Sequence, residues 1–248
     1  MTAVPTMTAF ETTVVAVQQI SPSMRRVTLT SPELANLHDG GAQGPRDLRV
    51  KVMIPSPGTS LPDLSVLDDG WYSRWLAIDA SRRGYMRTYT LRCSRLTGER
   101  PEVDIDFVLH GEGDHSGPAS SWARDAEVGD VLTVVGQDRR SGAPCGGIEW
   151  RPPSGPHPRV LLAGDETAAP AICSILESLP ADAVGHAVVE VPQAEDFQQV
   201  RCPVGVDVVW LARHDRPRGV PLIAAVDAAL GVTDGSVDAT SQRLRRNG

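Results

Sequence analysis

The sequence predicts a β + α/β fold class: an N-terminal antiparallel six-stranded barrel, then a shortened Rossmann-like parallel α/β domain. Three observations point to it. Through residue 137, short apolar–polar alternations recur between tight turns, the period of half-buried strands. Residues 138–158 then carry Gly142, Pro144, Gly146, Gly147, Pro152, Pro153, Gly155, Pro156 and Pro158, a density that marks a connecting loop. Beyond residue 159 the strands are unbroken apolar runs separated by helical periodicity, the texture of a parallel sheet covered on both faces.

In order, residues 1–11 are small and polar and read as a flexible tail. The barrel is expected over 12–140. TTVVAVQQ (12–19) and MRRVTLTS (24–31) flank Ser21-Pro22 and read as a hairpin, and LRVKVMIP (48–55) ends at a proline. Residues 56–84 form a long irregular insert with Trp71, Tyr72 and Trp75. Inserts of this length are functional or disordered, and composition does not choose between these. YMRTYTLRCS (85–94) and EVDIDFVLH (102–110) are strands rich in β-branched and aromatic residues. A glycine-rich turn (111–118) leads into the short helix ASSWARDA, and VLTVVGQ (131–137) is the sixth strand. A linker is expected over 141–158 and the α/β part over 159–232. In that part RVLLAGD, GHAVVEVP and VDVVWLAR are strands, with helices over 166–179 and 219–230. Residues 233–248 read as a polar tail with too little apolar content for a buried strand.

Composition narrows the function classes. The 248 residues carry a net charge of −7, which disfavours nucleic acid and anionic membrane as partners. No C-x-x-C pair and no Cys/His cluster has metal-site spacing among Cys93, Cys145, Cys173 and Cys202, so no bound metal is expected. No apolar run reaches the length of a membrane span and no leader pattern opens the chain, so a soluble cytoplasmic protein is expected.

Three constellations carry chemistry. On the strand R-T-Y-T-L-R, alternation puts Arg87, Tyr89 and Leu91 on one face, with Thr90 beside them. A guanidinium that forks a phosphate next to a ring that stacks on a heterocycle suits a ligand with both parts. Taken alone, the same residues also suit an ordinary cross-strand ladder. The run Gly117-Pro118-Ala119-Ser120-Ser121-Trp122 delivers a glycine turn to a helix start, where N–H groups and the helix dipole favour an anion such as a diphosphate. Leu162-Ala163-Gly164-Asp165-Glu166-Thr167-Ala168-Ala169-Pro170 lies where the first parallel strand meets its helix, the ligand-binding end of open α/β sheets. It is not a G-x-G-x-x-G fingerprint.

The ordered set R-T-Y-T-L-R, D-I-D-F-V-L-H-G, G-P-A-S-S-W-A and L-L-A-G-D-E-T-A-A-P-A-I resembles the siderophore-interacting, ferric-siderophore reductase family of the ferredoxin-reductase-like flavoproteins, from about residue 12 to about residue 225. The resemblance implies FAD. Arg87 would neutralise its diphosphate, Tyr89 would stack on the isoalloxazine with Leu91 on the same face, and Thr90 would hydrogen-bond near the reactive nitrogen. Asp106, Val108 and His110 would line the flavin and adenosine side. Pro118, Ala119 and Ser120 would hold the diphosphate at the helix start. Gly164, Asp165, Glu166 and Thr167 would receive the nicotinamide of NADPH or NADH. The substrate would be a ferric chelate, with no catalytic acid or base required.

The sequence departs from the family pattern twice. Gly136-Gln137 stands where a Gly-Pro is usual. The C-terminal end lacks the expected further strand, which would leave an open sheet edge for a homodimer partner to cover. A second reading follows from that: an FAD-binding scaffold with a degenerate nicotinamide domain, in which flavin is structural and a natural-product intermediate is the substrate, as in a cyclase of secondary metabolism. Arg213 and Arg216 are candidates to receive an anionic siderophore.

Overall fold

The computed structural model describes residues 4–56, 58–62, 64, 67–68, 70–110, 117–151, 155–231 and 241–243. Most of the glycine-rich turn expected at 111–118 lies outside them. The chain divides into two compact units, Met1–Gln19 with Arg25–Glu149, and Ile20–Met24 with Trp150–Gly248.

Strands β1 (Met7–Ser21), β2 (Met24–Thr30), β3 (Arg49–Ile54), β4 (Tyr85–Arg95), β5 (Glu102–Val108) and β6 (Val131–Gln137), which belong to the first unit except for the β1–β2 turn residues Ile20–Met24, close into a barrel in the order β1-β2-β5-β4-β3-β6. Period-2 alternation sends one set of side chains inward. Phe10 and Val14 of β1, Val27 and Leu29 of β2, Leu91 of β4, Val103, Ile105 and Phe107 of β5, and Leu132 and Val134 of β6 form the core. Thr12 is buried among them, and its hydroxyl donates to the Leu132 carbonyl at 2.5 Å.

β1 begins at Met7, inside the segment expected to be a tail. Met7–Thr13 pairs antiparallel with Val131–Gln137, so the strand's start is fixed by its partner rather than by its own apolar content. The insert between β3 and β4 is packed against the wall. Helix α1 (Trp71–Ala77) and Leu61, Leu64 and Leu67 lie with Met53, Val135, Met7, Ala9 and Met86 in a second apolar cluster. Trp75 is buried and donates from Nε1 to the Arg83 carbonyl at 2.9 Å, and the Arg83 guanidinium sits 5.3 Å from the centre of its ring. Gly84 closes the insert at φ 71°, where a Cβ would meet the Ile54 carbonyl oxygen at 2.4 Å. Gln137, at the second position of the unusual Gly-Gln pair, staples the connecting loop. Its Nε2 donates to the carbonyls of Ala143 and Pro144 at 2.9 and 2.8 Å, and its Oε1 accepts from the Gly146 N–H at 2.7 Å.

The opposite face of β5 is charged. Asp104 and Asp106 alternate with the core residues. Asp106 accepts from Arg26 Nε and Nη2 at 2.6 and 2.8 Å, with Arg92 at 3.8 Å. Asp104 accepts from Thr28 and from both terminal nitrogens of Arg95, each at 2.8 Å. Burial pushes the Asp104 carboxyl up, but the hydrogen bonds from Arg95 and Thr28 outweigh it and hold its pKa below the usual carboxylate value. A depressed folded pKa contributes stability that is present above the unfolded pKa of about 3.9 and is lost as pH falls through the folded value. Barrel stability measured by urea unfolding should therefore fall as pH drops below about 4. Asp104→Asn should be less stable at neutral pH and should show a shallower acid loss; an identical acid profile would remove Asp104 as the source.

In the second unit, β7 (Arg159–Gly164), β8 (Val184–Val191) and β9 (Gly205–Ala212) pair in parallel. Helix α3 (Ala169–Ser178) follows β7 and buries Ile172, Ile175 and Leu176. Helix α4 (Val220–Ala229) packs Leu222, Ala225 and Val226 onto Val188, Val209 and Leu211. The expectation that residues 233–248 form no strand is corrected at one point. β10 (Ser241–Arg243) pairs antiparallel with Val209–Leu211 of β9. An edge strand needs main-chain partners rather than buried side chains, so a polar tripeptide suffices. The expected bare edge is thus paired at these positions, which weakens the premise for a covering partner subunit.

Candidate functional site

Within the first unit, the candidate residues converge from β4, β5 and helix α2 (Pro118–Asp125). On β4, Leu91 is fully buried in the core, Tyr89 is half-buried against it, and Arg87 is exposed, so one strand face runs from core to solvent in three alternate residues. The Tyr89 ring lies 4.5 Å from Phe107, which lies 5.4 Å from Trp122 of α2. These contacts hold the tyrosine in place. Burial pushes the Tyr89 phenol up to about 12 despite the opposing Arg87 charge. The ring therefore stays neutral across the neutral range and offers a stacking face and a donor, not a base. Among the described residues, Arg87 donates from Nη1 to the neighbouring Met86 carbonyl at 2.9 Å, which leaves most of its fork for an anion. Thr90 is half-buried on the other face of β4, opposite Arg49 of β3.

Helix α2 starts beside the end of β5. The Ser120 hydroxyl accepts from the His110 N–H at 2.9 Å and donates to the His110 carbonyl at 3.3 Å, so it joins the helix start to the strand end. Gly117 precedes the helix in extended conformation, makes no side-chain cap, and is followed by Pro118. The first N–H groups of a helix have no partner within it, and Gly117 at the cap position has no side chain to bond them, so the N–H groups of Ala119 and Ser120 suit a diphosphate. A charged fork, a neutral ring and an uncapped helix start fit a flavin dinucleotide.

Not every expected residue faces that cradle. The Asp106 carboxylate is held by Arg26 and Arg92 on the outer face of β5, so any contact from this position to a ligand would come from its main chain. Val108 is buried on the same face as Asp104 and Asp106. The Ser120 side chain is committed to His110, so its N–H, not its hydroxyl, is the group left for an anion.

In the second unit, the turn after β7 is tight. A Cβ at Gly164 would fall 2.5 Å from the Ala168 Cβ, so only glycine fits. Thr167 donates from N and from Oγ1 to Asp165 Oδ1 at 2.9 and 2.5 Å. Burial pushes the Asp165 carboxyl up, but the Thr167 hydrogen bonds and nearby Arg218 bring it below its ordinary value. Glu166 is fully buried. Arg213 forks it at 2.6 and 2.9 Å, and Arg218 adds a bond at 2.7 Å. Glu190, also fully buried, accepts from the N–H groups of Gly219 and Leu222 at the start of α4, at 2.9 and 3.1 Å. The Arg213 fork is therefore filled from within the unit, unlike the open anion receptor expected of it. The association of Glu166, Glu190, Arg213 and Arg218 was not read from the sequence, although Glu190 within the apolar run VVEV was a visible signal.

Among the described residues, no three His, Cys, Asp or Glu side chains come together to hold a metal, and no helix is long and apolar enough to cross a membrane.

Comparisons with known proteins bear on the family and the fold. Residues 13–140 match the siderophore-interacting FAD-binding domain, and residues 157–238 match the siderophore-interacting protein domain. Ferric vibriobactin reductase ViuB of Vibrio cholerae is 30% identical over 223 residues, covering 88% of this chain and 71% of that protein. The crystal structure of a siderophore utilization protein from T. fusca is similar at a TM-score of 0.70 and 32% identity, covering 90% of this chain and 77% of that one. The siderophore-interacting protein SipS of Aeromonas hydrophila gives a TM-score of 0.62 at 34% identity, with 90% and 74% covered. A flavohem-like FAD/NAD-binding domain of Vibrio cholerae, at 14% identity and a TM-score of 0.52, shares the fold. With its barrel matched to an FAD-binding domain and its second part to the companion domain, the chain belongs to the siderophore-interacting protein family.

Proposed function

We propose that this protein is an FAD-dependent oxidoreductase that moves electrons from NADPH or NADH to the Fe(III) of a ferric siderophore. The observation that carries this reading is that Arg87 and Tyr89 of β4 lie in one unit with the start of α2, Tyr89 being linked to that helix through Phe107 and Trp122. In the balance, one dinucleotide gives up a hydride, two Fe(III) become two Fe(II), and one proton is released. Bound FAD supplies the passage from a two-electron donor to one-electron reduction.

The residues bind and orient. Arg87 and the Ala119 and Ser120 N–H groups neutralise the diphosphate. Tyr89, neutral and braced by Phe107, offers a flat face to the ring. The turn from Gly164 to Thr167, fixed by Asp165, is the place for the nicotinamide donor. Fe(II) binds hard oxygen ligands less tightly than Fe(III), so reduction itself frees the metal, and no acid or base from the protein is required. The relative named a ferric vibriobactin reductase supports the substrate class. No observation favours a flavin-holding cyclase scaffold.

The test is an absorbance spectrum of purified protein under anaerobic conditions. NADPH or NADH should bleach the flavin bands, and a ferric siderophore added next should restore them while an Fe(II) indicator develops colour. Bands that persist with both nucleotides would remove the nicotinamide step. Bands that bleach but do not return with ferric siderophore would remove the substrate.

A further inference from the structure

A cavity on the first unit shares Trp122 of α2 with the elements that carry the candidate flavin residues, while the rest of its lining comes from β1, β6 and the insert. It has a volume of about 800 Å³ and sits on the outer face of β1 and β6, roofed by the insert through Leu61 and Leu64. The flavin candidates lie on β4, β5 and the start of α2, and β3 and β6 separate β4 from β1 around the barrel. The volume falls within the range of small-molecule sites, about 300–1,000 Å³.

Its lining is one-signed. Glu11 of β1 and Asp130, just before β6, are both carboxylates, and no lysine or arginine lines the cavity among the described residues. Trp122 supplies an aromatic surface, and the leucines of the insert supply an apolar wall. Thr133 of β6, opposite Glu11 in the strand pairing, also lines it. An aromatic residue beside two acids and an apolar wall is a lining for a cation with an apolar body. The ring face attracts the charge, the acids neutralise it, and the leucines cover the rest. The same lining repels an anionic ferric chelate.

We infer that this cavity binds an organic ammonium ion: a protonated amine on a small apolar or aromatic body. The site stands on the barrel wall and the insert, so it does not rest on the redox reading above. Trp122 is also the last ring of the Tyr89–Phe107–Trp122 series, so an occupant touches a side chain that braces the flavin candidates from behind.

The full chain should be titrated with phenethylammonium and, in parallel, with hydrocinnamate, an anion of similar shape, following tryptophan emission and binding heat. The ammonium should give a saturable response and the anion none. Glu11 is exposed on the strand's outer face, so Glu11→Gln should fold normally and bind the ammonium about tenfold more weakly. Trp122→Phe should lose most of the emission change while binding heat remains. Equal binding of the anion, unchanged affinity in Glu11→Gln, or no saturable response to the ammonium by either readout would each overturn the assignment.

Discussion

Protein carrying Arg87→Ala together with Tyr89→Ala should purify without colour. Arg87 is exposed and its fork is largely unspent, so its charge-assisted bonds to a phosphate are worth about 1.5–3 kcal/mol. The Tyr89 ring adds about 0.5–1.5 kcal/mol of stacking. Losing both should weaken FAD binding by about two to three orders of magnitude. The two changes differ in collateral cost. Arg87→Ala removes a solvent-facing side chain and should leave urea unfolding unchanged. Tyr89→Ala also removes the contact with Phe107 and should cost stability. Affinity must therefore be measured by FAD titration of protein shown to be folded by circular dichroism. Tyr89→Phe, which keeps the ring and its packing, should stay yellow. A double variant that retains a full complement of FAD would mean that the flavin is held elsewhere.

Arg213→Met should destabilise the second unit by about 3 kcal/mol, because Glu166 has no exposed surface and would lose its bidentate cation. The ordinary stabilisation of an ion pair is not what is being measured. The cost arises from a carboxylate that cannot reach water once its bidentate partner is gone. Glu166→Met in the same chain should recover part of the loss, since an apolar pair of similar volume leaves no charge behind. The double-mutant cycle on urea midpoints reads this coupling directly. Arg218, half exposed and shared with Asp165, should matter less when changed alone. If Arg213→Met instead left stability unchanged and weakened binding of a ferric siderophore, Arg213 would be the substrate receptor that its surface-like sequence context suggests.

The two architectures were legible because their periods are local properties. Alternation over 24–30 and 102–108 marks β2 and β5, and unbroken apolar runs mark β7, β8 and β9. What stayed hidden depends on partners distant in the chain. Met7–Glu11 looks like a tail until β6, more than a hundred residues later, supplies its hydrogen bonds. Ser241–Arg243 has no strand signature and is a strand only because β9 is beside it. The site divides in the same way. Arg87 and Tyr89 were readable from a strand's two-residue period. The capture of Asp106 by Arg26, 80 positions away, and of Glu166 by Arg213, 47 positions away, was not, because sequence spacing carries no record of strand pairing around a barrel or of which strand ends meet at one end of a sheet.

The insert between β3 and β4 changes what can be done with this barrel as a module. Around Met53 and Val135 the wall has hydrophobic residues on both sides, the core within and Leu67 and Trp75 without. That stretch has no wet face. A trimmed barrel, or one grafted elsewhere without residues 56–84, would expose a stripe of methionine, valine and alanine able to stick to other chains. The excursion is therefore part of what keeps the domain dispersed, and any minimal version of the domain has to carry it.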